Sequence, residues 1–286
     1  MKICVWKTGH EIADTIARVA HESLPGSILK QTSDVSERAI DEAEIHICYG
    51  ILRGADQVFR LAEKAGKPWF NIDKGYWKPG HYEGYYRVSL RGTQQTFGFD
   101  RLEPDYDRWD ETDQIIWERA PTFYRHIKLV CPPTDYVRDF YYQDRWEIFN
   151  AGNTPDYFYR TKLCNRLLND DLNRSKEVIT FNSSVGWEAL RQGIPVTSDP
   201  THSIVGAYQK LIDKPLHLDF NERRKLFAIM ASLQLTLSEM RSGQLWPLLQ
   251  KLLGSTSDMT GAKQLPRTWQ RIASQGAQTP QSTSNS

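Results

Sequence analysis

The sequence predicts an α/β fold, with two Rossmann-like halves facing each other across a cleft and a disordered C-terminal tail. Three observations predict it. Short apolar runs alternate with helical patterns from residue 2 to residue 72, the alternation resumes at residue 127, and residues 255–286 abandon it. Strand-helix-strand alternation with short loops specifies a parallel sheet wrapped by helices. A chain of 286 residues with 40% hydrophobic residues can bury the cores of two such units. The expected division is 1–124, 125–254 and the tail 255–286.

In the first half, residues 2–6 (KICVW) read as a strand, 7–10 as a loop and 11–23 as a helix. Ile12, Ile16, Val19 and Ala20 fall there at helical spacing. Residues 27–30 form a short strand and 35–41 a helical piece. The strand 45–49 precedes a helix over 55–65, which Gly66 closes, and 68–72 is the next strand. Residues 73–121 are less regular and rich in Tyr, Gly, Arg and Asp, with one strand at 85–90. The remainder of that stretch lines a cleft or links the halves.

In the second half, strand 127–131 stops at Pro132-Pro133, and 136–150 is helical. A short strand at 157–159 and a helix over 161–173 follow. Strand 177–181 leads through Asn182-Ser183-Ser184-Val185-Gly186 into a helix over 187–192, closed by Gly193. Strands at 194–197 and 216–218, a long helix over 221–240 and a short one over 244–253 complete the pattern. The tail is dominated by Ser, Thr, Gln and Gly and cannot bury enough surface to fold alone.

Charge is nearly balanced, 36 Lys and Arg against 35 Asp and Glu, so no global attraction to nucleic acid or to a membrane is expected. Aromatic residues make up 12% of the chain, which suits either core packing or a cleft that stacks on rings. Cys4, Cys48, Cys131 and Cys164 form no close pair, which points to a reduced, cytoplasmic protein without a zinc site. The N-terminus turns polar too soon for a signal peptide, and no apolar run approaches the roughly 20 residues of a membrane span.

The strongest local signal is the stretch 177–196, EVITFNSSVGWEALRQGIPV. An apolar strand delivers the chain to a small polar turn, and a helix starts there. Asn182, Ser183 or Ser184 can cap that helix, whose first amides and positive dipole end suit an anion such as a nucleotide phosphate. Glu188 lies about one turn further on, where a carboxylate reaches a ribose diol. The plainer alternative makes Ser183 an N-cap and Glu188 a carboxylate complementing the dipole. No Gly-x-Gly-x-x-Gly or Gly-Lys-Ser/Thr loop is present, which counts against a dinucleotide enzyme or an ATPase.

Residues 182–196, NSSVGWEALRQGIPV, resemble the C-terminal half of GT-B glycosyltransferases of the capsular-polysaccharide and Kdo-transferase type, and related bacteriophage proteins. The resemblance covers about residues 125–250, including Gln234, Glu239, Gly243 and Trp246 in the late stretch 224–246. It implies a donor domain at 125–254 facing an acceptor-side domain at 1–124. It implies that Ser183, Ser184 and Gly186 hold the donor phosphate, and that Glu188 approaches the nucleotide sugar. Pro132 ends the strand whose proline motif contacts the nucleotide in that family; here Cys131-Pro132 stands where His-Pro is common.

The same resemblance sets the loop after the first strand against the acceptor, with His10 as a general base of suitable pKa. Asp73 is the rival base, because it follows directly on a buried strand, and Lys74 beside it offsets phosphate charge. Arg53, Arg160 and Lys162 follow strands as anion contacts, and His202 reaches toward the cleft from beyond the serine helix. Metal-independent transfer without a cofactor is expected, with a nucleotide sugar as co-substrate. The acceptor is a glycan or a hydroxymethylated base in phage-type DNA, whose strand the aromatic-basic stretch 76–91 would grip. A nucleotide-sugar epimerase and a non-catalytic nucleotide- or glycan-binding protein are the alternatives.

Overall fold

The strand β1 (Ile3–Lys7) is apolar on both faces, and all but its last residue are buried. It leads into α1 (Glu11–Glu22), which turns Ile16, Val19 and Ala20 onto the sheet. Asp14 holds the turn between them, its Oδ1 accepting the N–H groups of Thr8 and Gly9 at 2.8 and 3.1 Å. β2 (Ile28–Gln31), α2 (Glu37–Asp41), β3 (Ile45–Tyr49), α3 (Ala55–Lys64), β4 (Trp69–Lys74) and β5 (Tyr85–Leu90) follow. A short α4 (Tyr106–Asp110) lies in the connection to the second sheet. This computed structural model describes residues 1–80, 82–118, 125–141, 157–214 and 216–254.

The second sheet is built by β6 (Ile127–Cys131), α5 (Asp135–Tyr141), β7 (Tyr157–Tyr159), α6 (Leu168–Arg174), β8 (Ser175–Thr180), α7 (Val185–Arg191) and β9 (Val196–Ser198). Its strand order is β7-β6-β8-β9, and every neighbouring pair is parallel. α8 (Ile204–Leu211) and α9 (Phe220–Ala231) come next. The chain then returns to the first sheet through β10 (Gln234–Thr236), followed by α10 (Leu237–Glu239) and α11 (Leu245–Gly254). The first sheet has the order β10-β5-β4-β3-β1-β2. Its β2, β1, β3 and β4 are parallel, whereas β5 and β10 are antiparallel to their neighbours.

The architecture is therefore α/β and Rossmann-like, with one mixed and one parallel sheet. Three details differ from the sequence expectation. The helix expected over 221–240 ends at Ala231, because Leu233 and Gln234 pair with β5: Val88 N–H donates to Leu233 O at 2.8 Å. Residues 216–218 form no strand; they lie on the loop into α9, where Asp219 and Glu222 make a capping box. The helix expected over 161–173 begins only at Leu168, and that over 136–150 is described from Asp135 to Tyr141. Its remainder and the expected disordered tail, 255–286, lie outside the described residues.

Candidate functional site

β4 of the first sheet and β6, β7 and β8 of the second lead at their C-terminal ends into one cavity of about 790 Å³. This is where loops following parallel strands meet ligands, and the volume is that of an ordinary ligand site. One wall comes from the first sheet: Asp73 and Lys74 at the end of β4, the following Gly75-Tyr76-Trp77, then Arg87, Thr93 and Gln94. The facing wall comes from the second: Cys131-Pro132 after β6, Arg160 and Lys162 after β7, and Asn182, Ser183, Ser184 and Glu188 after β8. Tyr76 and Trp187 meet edge-to-face between the walls, with ring centroids 5.2 Å apart.

The serine turn is fixed from below. Phe181 is fully buried, and the Thr180 hydroxyl donates to Cys131 O at 3.0 Å while accepting Ser183 N–H at 3.1 Å. The Ser183 hydroxyl accepts Val185 N–H at 3.3 Å, so Ser183 serves the helix start although Ser184 occupies the N-cap position. Ser184 is exposed at the cavity and Ser183 half-buried. Gly186 is buried behind the turn, outside the cavity lining. A Cβ on it would meet Thr180 Cγ2 at 3.3 Å, so the glycine allows the helix to sit on the sheet.

The charged residues are mostly held by partners. Asp73 Oδ2 accepts from Arg87 Nη2 at 2.7 Å and its Oδ1 from Lys74 N–H at 2.8 Å. Arg160 pairs with the buried Asp171, donates to Arg166 O at 2.8 Å and lines the cavity. Lys162 Nζ lies 5.4 Å from the centre of the Tyr136 ring. Glu188 accepts from Arg191 at 3.0 and 3.1 Å. Burial pushes the Cys131 thiol up to about 12, so it stays protonated beside Pro132.

The structure thus gathers Asp73, Lys74, Pro132, Arg160, Lys162, Ser183, Ser184 and Glu188 around one space. It does not bring His10, Arg53 or His202 there. His10 is the N-cap residue of α1, with no side-chain capping bond. Arg53 is exposed with φ 58°, and its carbonyl accepts the Thr32 hydroxyl. His202 is buried against Phe181 and Tyr141, its Nδ1 2.8 Å from Asp199 Oδ1. Burial works to raise the Asp199 carboxyl, but the bonds from His202 and from the Thr201 and His202 amides outweigh it and hold the group low.

Sequence reasoning missed Arg87, Thr93, Gln94 and Tyr141. Arg87 donates Nε to Thr93 O at 3.0 Å, and Thr93 N–H donates to Tyr141 Oη at 2.8 Å. The available signal was Gly92-Thr-Gln-Gln-Thr96, a run of hydroxyl and amide side chains directly after a buried strand. Among the described residues, no three His, Cys, Asp or Glu side chains converge in a metal-binding group, and no helix is long and apolar enough to cross a membrane.

The fold is similar to that of the beta Kdo 2,7 transferase of KpsC from Thermosulfurimonas dismutans. The TM-score is 0.50 at 12% identity, covering 86% of this chain and all of that one. The beta Kdo 2,4 transferase of the same protein aligns with TM-score 0.45 at 12% identity, over 82% of this chain and 90% of that one. A UDP-N-acetylglucosamine 2-epimerase from Listeria monocytogenes gives TM-score 0.22 at 9% identity, over 79% and 90%, and carries no argument. No protein-family model matches the chain, and no curated protein matches it.

Proposed function

We infer that this chain is a glycosyltransferase, moving a sugar from a nucleotide-sugar donor to an acceptor hydroxyl in the cavity between the sheets. One observation carries the reading. Asp73 on one wall and the Ser183-Ser184 turn with Arg160 and Lys162 on the other line a single space, in a fold similar to that of a Kdo transferase. In this reading the two halves form a GT-B arrangement, the first taking the acceptor and the second the donor.

The donor's phosphate sits at the serine turn, with the nearby charges of Lys162 and Arg160 offsetting its own. Asp73 takes the proton of the acceptor hydroxyl as its oxygen attacks the anomeric carbon. The bond from that carbon to the phosphate oxygen breaks, and the leaving group keeps the electron pair. Asp73 is preferred to His10 because it alone of the two lines the cavity. The reaction uses no metal and no cofactor.

The test is a thermal-shift screen against nucleotide sugars, since a ligand that binds only the folded state raises the melting temperature. Transfer assays follow with the stabilising donor, using glycan acceptors in one arm and hydroxymethylated DNA in another. Stabilisation by a nucleotide sugar and its acceptor-dependent consumption support the reading. An epimerised sugar formed from donor alone, or binding without turnover on any acceptor, overturns it.

A further inference from the structure

Two buried side chains of the first-sheet loop reach across to the second half, Gln94 to main chain and Thr93 to the Asn182 side chain. Gln94 is 2% exposed; its Nε2 donates to Asn182 O, and its Oε1 accepts Ile204 N–H at 2.9 Å. Thr93 is 6% exposed, and its hydroxyl accepts from Asn182 Nδ2 at 3.2 Å and bonds Tyr141 Oη at 2.9 Å. Thr93 O also accepts from Arg87, which holds Asp73.

A continuous hydrogen-bonded chain therefore runs Asp73–Arg87–Thr93–Asn182, with Gln94 gripping the carbonyl of the same asparagine. The chain ends on the Asn182 side-chain amide, whereas Gln94 bonds main chain at Asn182 O and Ile204 N–H, so together they restrain both the asparagine side chain and the path of the turn. Thr93 and Gln94 are themselves buried, so removing one of their partners leaves a buried polar group unsatisfied. Ser183 directly follows the residue so held.

We propose that Gln94 and Thr93 are positioning residues that fix the serine turn in register with Asp73. The proposal rests on the transferase reading for the meaning of that register, and on the bonds above for its existence. Neither side chain reacts. They set the distance between the proton acceptor on one wall and the phosphate turn on the other, a quantity to which transfer rates are steeply sensitive.

Gln94→Glu is the discriminating variant. Its carboxylate can still accept from Ile204 N–H but cannot donate to Asn182 O. Hydrogen–deuterium exchange of residues 182–188 should rise at least about tenfold while β1 to β4 keep their protection. kcat should fall by about tenfold or more, with acceptor KM within about twofold of wild type. Thr93→Val, which keeps shape and loses the hydroxyl, should act in the same direction, and Thr93→Ser should restore both readouts. Thr96→Ala removes another bond from the same loop, to Thr201 O at 2.8 Å, and should leave the turn unchanged.

Unaltered exchange at 182–188 in both Gln94→Glu and Thr93→Val overturns the proposal, as does an equal response to Thr96→Ala. The exchange readout needs no substrate. A wild-type protein that transfers no sugar therefore overturns the transferase reading, while exchange still decides whether these residues hold the turn. Should Gln94→Glu fail to fold, the Thr93→Val and Thr93→Ser pair decides.

Discussion

The Asp73 carboxylate and the Arg87 guanidinium lie 2.7 Å apart at the end of the central strands, and Arg87 lies 5.3 Å from the centre of the Tyr76 ring. Arg87 donates to Lys74 O and Thr93 O as well, so three partners set its position before Asp73 is counted as a fourth. Asp73 is consequently an oriented carboxylate and not a freely rotating one. That geometry suits a group that must meet a hydroxyl in one direction.

Asp73→Asn keeps the shape and removes the proton acceptor. Transfer should fall by about 10² to 10⁴ in kcat, the range associated with losing a general base. Donor affinity by calorimetry should stay within about twofold, because the phosphate turn lies on the opposite wall. His10→Ala, altering a residue outside the cavity, should leave kcat near wild type. The reverse ranking of the two variants would return the base to the loop after β1.

The two serines separate by structure. Ser183→Ala removes the acceptor of Val185 N–H as well as the proposed phosphate contact, so it should lower stability by about 1 kcal/mol and weaken donor binding. Ser184 is exposed and makes no side-chain capping bond, so Ser184→Ala should weaken donor binding with an unchanged melting temperature. Paired melting curves and donor titrations check both. Unchanged donor affinity in the two variants would move the phosphate away from this turn.

Residues standing directly after β4, β6, β7 and β8 were legible in the sequence because an apolar run ends visibly and the C-terminal ends of parallel strands converge. His10 and Arg53 followed strands by the same logic, yet left-handed backbone at Gly9 (φ 76°) and at Arg53 itself turns the chain before either lines the space. His202 was drawn into the core by Asp199 and two aromatic rings, partners invisible to a local reading. β10 was hidden for another reason. Leu233-Gln-Leu-Thr-Leu237 alternates with a period of two, but it directly continues a helical run that masks the change of period. The antiparallel β5 carries no local mark at all, since pairing direction is set by the return of the chain and not by the strand's own residues.

Stability should depend on pH through His46. This imidazole is fully buried, with Trp6 Nε1 donating to its Nδ1 at 3.2 Å. Burial, aided by the charge of Lys67, depresses its pKa from 6.5 to about 4. Between those values the unfolded chain binds a proton that the folded chain excludes, so stability is complete above about 6.5 and falls as pH drops toward 4. The full effect is about 3 kcal/mol. Chemical denaturation at pH 7 and at pH 5 should show about 2 kcal/mol of it, and His46→Gln, which still accepts from Trp6 but does not titrate, should flatten the difference.

A second acid step belongs to Glu239, which ties the returning segment to the connection between the sheets. Arg108 clasps its carboxylate and donates Nη2 to Gln234 O at 2.8 Å, while Thr236 and Glu239 cap α10 reciprocally. Burial works to raise the Glu239 carboxyl, but the bonds from Arg108 and Thr236 outweigh it and hold the group below its ordinary 4.5. Its contribution is therefore present above pH 4.5 and lost as pH falls through the depressed value, so its loss begins at lower pH than that of His46. Glu239→Gln keeps some of the hydrogen bonds and loses the charge, so it should cost about 2 kcal/mol at pH 7. It should also remove the lower acid step and leave the upper one intact. A Glu239→Gln protein that retains the lower step would place the titrating group elsewhere and leave the Arg108 clasp without an electrostatic part in anchoring β10.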